Sequence, residues 1–213
     1  MAHAVEQKWP KTVVVSVDTG FAHPDWGHRV REAEAYARRC GLEVVRLRAE
    51  PDFANLVRAQ GEFPTPKFQW CAVYLKGDSV RRWLDQSDPL KKATILLARR
   101  RSHSPKWADL PEYVYNDEAF AGRLIWHPLY LEEEEGILRK VATTGLAWLP
   151  HRSLECDPCV NSSIAELQRA SPLVQARLYA LEQDLGDAFL QKNTQDKAFI
   201  FDMGCGSPYG CGL

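Results

Sequence analysis

A run of β-branched residues, Thr12-Val13-Val14-Val15-Ser16-Val17, does most to limit what this chain can become. Branching at Cβ suits an extended backbone, and an apolar run without alternation suits a strand covered on both faces. Residues 12–17 are therefore expected to form a buried strand of a parallel sheet. Asp18-Thr19-Gly20 ends that strand with turn-forming residues. Over residues 26–40, Val30, Ala33, Ala37 and Cys40 recur at spacings of three and four, the stripe of an amphipathic helix, and Gly41 supplies its stop. Leu42-Glu43-Val44-Val45-Arg46-Leu47 then reads as a second strand. Strand, helix and strand in this order make a βαβ unit. It predicts an α/β fold, a doubly wound, mainly parallel sheet flanked by helices, with its ligand crevice at the carboxyl ends of the strands.

The remaining segments extend that pattern. Residues 2–8 have helical composition and stop at Pro10, and residues 61–67 form a loop around Pro64 and Pro66. A helix is expected over 73–84, a buried strand over 93–98 that runs into Arg99-Arg100-Arg101, and a short strand over 124–126. A helix with an acidic start follows over 131–144 and stops at Gly145; its glutamates suit the positive end of the helix dipole. From Leu149 the chain turns into a loop rich in Pro and Cys, then a helix from about residue 164, restarted near Pro172 and running to about residue 190. The last ten residues show no periodicity. This divides the chain into an α/β nucleotide-binding domain over 1–148 and a Cys-rich C-terminal region and tail over 149–213.

With 27 Lys and Arg against 28 Asp and Glu, the net charge of -1 gives no global reason to expect nucleic acid or a membrane surface as partner. No apolar run reaches the length of a membrane span, and the first residues lack the layout of a signal peptide, so a cytoplasmic protein is expected. Among six cysteines, Cys40 and Cys71 stand alone, Cys156 and Cys159 form a Cys-x-x-Cys pair, and Cys205 and Cys211 sit in the tail. In a reducing compartment this usage points to a metal, a cluster or redox chemistry rather than to structural disulfides.

Four stretches carry candidate chemistry. The buried strand delivers Asp18, Thr19 and Gly20 into the expected crevice, where the missing side chain of Gly20 lets a flat ring approach the backbone. In Gln69-Trp70-Cys71, with Lys76 five residues on, a thiol lies within reach of an ammonium, as a ligand or an activated thiolate requires. Arg99, Arg100 and Arg101 with Ser104 present guanidinium forks and a hydroxyl at a strand's end, donors that match phosphate or sulfate. Cys156-Asp157-Pro158-Cys159 places two thiols on one stiff turn, as for zinc or an iron–sulfur cluster. Cys71 and one of Cys205 and Cys211 are the natural complement. Cys40, on the apolar helical stripe, reads as packing, and His127 before Pro128 as structural.

Taken in order, these pieces resemble the phosphoadenosine phosphosulfate (PAPS) reductase family of the adenine-nucleotide alpha-hydrolase (PP-loop ATP pyrophosphatase) superfamily. The likeness runs over nearly the whole chain: the Asp18-Thr19-Gly20 turn with Pro24, the stretch from Gln69 to Lys76, the Arg and Ser segment, His127-Pro128-Leu129, and Cys156-Asp157-Pro158-Cys159. It implies an adenine nucleotide as substrate (PAPS, adenylyl sulfate or ATP), bound through Asp18, Thr19, Gly20, Lys76, Arg99, Arg100, Arg101 and Ser104. It implies a 4Fe-4S cluster, or alternatively zinc, held by Cys71, Cys156, Cys159 and Cys205 or Cys211.

In a reductase, Cys211 is the implied nucleophile and a thiol protein such as thioredoxin the implied donor. In a sulfurtransferase of the same superfamily, ATP would activate a nucleic-acid acceptor for thiolation; a non-catalytic, metal-stabilised relative is the third possibility. Two features depart from the family. Its Ser-Gly-Gly-Lys-Asp-Ser phosphate loop is absent, and residues 2–9 have the composition of the helix that follows it, so the reading frame is expected to start upstream of Met1. The ending Cys211-Gly212-Leu213 matches only part of the family's Glu-Cys-Gly-Leu-His-like terminus.

Overall fold

A computed structural model describes residues 1–9, 11–66, 68–103, 107–149 and 153–189. Within them the fold is α/β, with seven α-helices and five strands in two small sheets. The βαβ unit forms as expected. Strand β1 (Val13–Asp18) pairs in parallel with β2 (Glu43–Arg48), Val13 opposite Glu43 and Asp18 opposite Arg48. Helix α2 (Trp26–Arg39) makes the crossover, and the shorter α1 (Ala2–Glu6) precedes β1. A polar tie seats α2 on the sheet: its buried Glu34 accepts from Arg46 of β2 at 2.8 Å and from the Ser16 hydroxyl of β1 at 3.3 Å. Burial alone would push this carboxyl up, but the Arg46 guanidinium and the Ser16 hydroxyl outweigh it and hold the acid below its ordinary range.

Helix α3 (Phe53–Gln60) follows β2. Asp52 caps it by accepting from the Asn55 amide at 2.9 Å, and Gly61 closes it in the left-handed region. A π-helical turn (Ala72–Gly77) then runs directly into α4 (Asp78–Ser87). The second sheet has the order β3 (Ile95–Leu96), β5 (Arg123–Trp126), β4 (Tyr113–Asp117), with β3 parallel and β4 antiparallel to β5. Helices α5 (Glu134–Ala142), α6 (Ile164–Gln168) and α7 (Pro172–Leu185) complete the described fold. Ser163 and Glu166 cap α6 reciprocally, while Ser171 with Pro172 opens α7.

The main core joins both ends of the chain. Phe21, Phe53, Leu56, Val57 and Phe63 pack with Leu167, Leu178, Leu181 and Phe189, so α7 lies on the same apolar cluster as α3 and the end of β1. A smaller cluster of Leu84, Phe120 and Ile125 lies between α4 and the second sheet.

Among the described residues the strands fall into two sheets of two and three strands, the second of them mixed. Several expectations are corrected. Strand β1 is half-buried along Val13–Val17 and exposed at Asp18, and β2 is its one hydrogen-bonded partner among the described residues. The strand expected over 93–98 contracts to Ile95–Leu96, which among the described residues is an edge strand paired with β5 alone, and Leu96 faces solvent. Cys40 is exposed at the C-terminal end of α2 and not packed into its apolar stripe.

Candidate functional site

The carboxyl end of β1 meets the Cys-x-x-Cys loop. Thr19, wholly buried, donates its hydroxyl to the Glu155 carbonyl at 2.5 Å. Two backbone bonds flank that contact: the His23 amide donates to the Leu154 carbonyl at 2.9 Å, and the Asp157 amide to the Phe21 carbonyl at 2.8 Å. The two loops thus run side by side, although more than 130 residues separate Thr19 from Glu155 in sequence. Asp18 is exposed at the strand's end and turns back to accept from the Gly20 amide at 2.9 Å.

Arg177 of α7 clamps this junction. Its guanidinium donates to the carbonyls of Phe21 (3.1 Å), Ala22 (3.1 Å) and Asp157 (2.6 Å), and it lies 4.0 Å above the centre of the Phe21 ring. The three carbonyls take up the two terminal nitrogens of the half-buried guanidinium, while its buried Nε has no hydrogen-bond partner among the described residues. Burial nevertheless lowers its proton affinity, and the Asp157 carboxylate partly restores it.

The thiols occupy defined positions. Cys156 directs its sulfur at the Thr19 hydroxyl at 3.4 Å, and Cys159 accepts from the Asn161 amide at 3.5 Å. Burial pushes the Cys156 thiol up to about 12; the Lys76 ammonium and the Thr19 hydroxyl oppose the rise, and the neighbouring Cys159 and Glu155 add to it. A thiol in that state remains protonated at neutral pH and is a poor nucleophile, yet a metal ion that displaces the proton can still take it as a ligand. Lys76, buried at the end of the π-helical turn, is ion-paired with Glu155, the residue before Cys156. Gln69 reaches the same loop, donating to the Asn161 side chain at 3.1 Å. Cys71 begins the π-helical turn and packs against the main core.

The structure therefore gathers Thr19, Gly20, Lys76, Cys156 and Cys159, which the sequence singled out, around one junction. Glu155 and Arg177, which no local pattern marks, hold that junction together. None of the four described cysteines is in a disulfide. Among the described residues no group of three or more His, Cys, Asp or Glu side chains lies close enough to hold a metal ion. The described chain supplies two thiols on one loop and does not by itself complete the four-ligand site implied for a cluster or zinc. Cys205, Cys211 and Ser104 lie outside the described residues.

The arginine segment belongs to the second sheet. Arg99 stacks over Trp107 at 4.7 Å. Arg101 donates its Nε to the Leu110 carbonyl at 2.9 Å and lies over the Tyr130 ring at 5.3 Å. Arg100 is buried between them in sequence.

No protein-family model matches the chain. It is 25% identical over 170 residues to a protein of Escherichia phage 186 described as an uncharacterized 37.8 kDa protein in the gpa 5' region. The match covers 76% of this chain and 48% of that protein, so the chain spans about half the length of the relative it matches.

Proposed function

We propose that this chain is part of a cytoplasmic sulfur-metabolism enzyme that binds an adenine nucleotide at the carboxyl end of β1 and transfers or reduces sulfur, as PAPS and adenylyl-sulfate reductases do. The observation that supports it is the union of the Asp18-Thr19-Gly20 turn with the Cys156–Cys159 loop through Thr19, Phe21 and His23. A strand-end turn of this kind is where α/β folds take nucleotides, and the union sets two thiols beside it. On this reading the parallel β1–β2 pair belongs to a doubly wound sheet. Lys76 and the arginines Arg99, Arg100 and Arg101 supply positive charge for the nucleotide's anionic groups. A cluster or zinc on Cys156 and Cys159 draws its further ligands from Cys71 and from Cys205 or Cys211.

In the reductase form the Cys211 thiolate attacks the sulfur of the bound sulfonucleotide and the bond from sulfur to the bridging phosphate oxygen breaks. The nucleotide leaves with that electron pair, and a sulfonated cysteine remains for an external dithiol protein to discharge as sulfite, the dithiol becoming a disulfide. A second reading, a non-catalytic metal-stabilised binding protein, is favoured by one observation: the Cys156 thiol is held protonated, the mark of an inert or ligating cysteine and not of an attacking one.

Incubation of the anaerobically purified chain with PAPS, adenylyl sulfate or ATP, in the presence of a reduced dithiol protein, separates these readings. Sulfite release is the expected result, and pyrophosphate release from ATP would place the chain with the thiolation enzymes instead. A folded, metal-loaded chain whose calorimetric titration shows no binding of any of the three nucleotides would overturn the nucleotide reading and leave the binding protein.

A further inference from the structure

At the amino ends of β1 and β2, away from the end that carries the Asp18-Thr19-Gly20 turn, the fold leaves an open cleft of about 670 Å3. That volume falls within the range of small-molecule sites, about 300–1,000 Å3. Trp9, Val13 and Leu42 give the cleft an apolar lining, and Lys8, Lys11 and Glu43 a charged one. The exposed Cys40 lines it too.

The apolar wall is set in place. The Trp9 indole packs on Trp126 at 4.6 Å between ring centres and edge-on against His3 at 5.2 Å, and the Thr12 hydroxyl donates to the Trp9 carbonyl at 3.3 Å. An indole held by two ring neighbours loses little freedom when an apolar body meets it.

The lysines are the less expected feature. Lys8 and Lys11 both hold a left-handed backbone, at φ 53° and 55°. Glycine or asparagine meets that demand with less strain, so the turn explains neither ammonium. The carboxylate of Glu6, on the helix that leads to Lys8, is engaged by His3 and Lys140, and among the described residues neither lysine nor Glu43 is ion-paired. Two ammoniums against one carboxylate leave the cleft positive beside its apolar wall.

We infer that this cleft binds a small amphipathic anion, an aromatic body with a carboxylate or phosphate head, the body against Trp9 and the head at Lys8 and Lys11. Each half of such a ligand alone matches only half of the lining: a bare oxyanion gains nothing from the indole, and a neutral ring leaves the ammoniums unanswered. The cleft lies at the other end of the strands from the nucleotide site proposed above and does not rest on that reading.

Cys40 reports on the cleft in the unaltered chain. Its rate of alkylation by iodoacetamide, read by peptide mass analysis, should fall saturably as 1-naphthyl phosphate or 1-naphthoate is added, and whichever acts identifies the head group. 1-Naphthol, the body without a head, and inorganic phosphate, the head without a body, should leave that rate unchanged at the same concentrations. Lys8→Asn and Lys11→Asn each remove one charge and keep a residue suited to the left-handed backbone, so neither variant should unfold earlier than the parent. Each should weaken binding in calorimetric titration about three-fold, and the double variant about ten-fold. A Cys40 rate that neither anionic probe slows, equal protection by 1-naphthol, or a double variant that binds as the parent does would overturn the site. PAPS bound at the carboxyl end of β1 leaves Cys40 reactive, so a chain that binds the naphthyl probes but no nucleotide keeps this cleft and loses the nucleotide reading, and the converse result loses the cleft alone.

Discussion

At the scale of single residues, environment separates groups that look alike in the sequence. Cys40 is exposed, whereas burial holds the Cys156 thiol protonated with its proton affinity pushed up to about 12. Alkylation of the native chain by iodoacetamide at neutral pH, followed by peptide mass analysis, should therefore modify Cys40 early and leave Cys156 intact until the chain unfolds. Equal labelling of the two in the folded chain would contradict this. His127 carries a pH prediction. Burial, with the Arg99 charge adding to it, lowers its proton affinity, while the Pro111 carbonyl and Asp117 act the other way without cancelling the shift. The unfolded chain then binds the proton more readily than the folded one, so this contribution to stability is complete above the ordinary histidine range and is lost as pH falls through it. In chloride the unfolding midpoint should drop between about pH 7.5 and pH 5.5, and His127→Gln should flatten that slope; a parent chain with the same slope as the variant would refute the assignment. The sequence marked Arg99, Arg100 and Arg101 as one cluster. Which of them is buried depends on how the ends of β3 and β5 are tied together, a tertiary fact that no local pattern encodes.

The elements show where local signals suffice. The βαβ unit was legible because each of its parts carries its own periodicity and stop. Helix α3 went unmarked although Asp52 and Gly61 bracket it, and β4 went unmarked because an antiparallel strand of Tyr113-Val114-Tyr115 is recognisable chiefly through its partner β5. The strand at 93–98 was over-extended because an apolar run does not reveal that it will lie at an edge with one neighbour. Gly20 ties two elements together. It sits at φ +72°, and a Cβ there would lie 2.6 Å from the Cβ of Asp52, the residue that caps α3. The preceding Thr19 carbonyl accepts from the Phe53 amide at 2.9 Å, which fixes the turn against the helix start. Gly20→Ala should cost about 1–3 kcal/mol, from the left-handed backbone and from displacement of the cap. Urea unfolding measures it, and a variant as stable as the parent would show that the turn does not press on α3 as described.

On the scale of the whole molecule, α7, the last of the described helices, determines whether the described chain behaves as one unit. Its Leu178 and Leu181 lie in the core with Phe21, Phe53 and Val57, and its Arg177 bonds the β1 loop and the Cys-x-x-Cys loop together. The residue that enforces the proximity of those loops was not legible in the sequence, because an arginine on a helix of ordinary composition gives no local sign that it will face three carbonyls. Arg177→Met keeps most of the apolar stem over Phe21 and removes the donors, leaving the carbonyls of Phe21, Ala22 and Asp157 to find water. The expected loss of stability is about 3 kcal/mol, with Arg177→Lys recovering only part of it, since one ammonium does not reproduce the planar fork. The more telling measurement is amide hydrogen exchange at His23 and Asp157, whose amides donate across the junction, one in each direction. Both should lose protection together in Arg177→Met, since each bond depends on the two loops staying in register. Protection lost at one loop and kept at the other would mean that the loops are held independently, and that the thiols do not stay at the end of β1 as a single body with it.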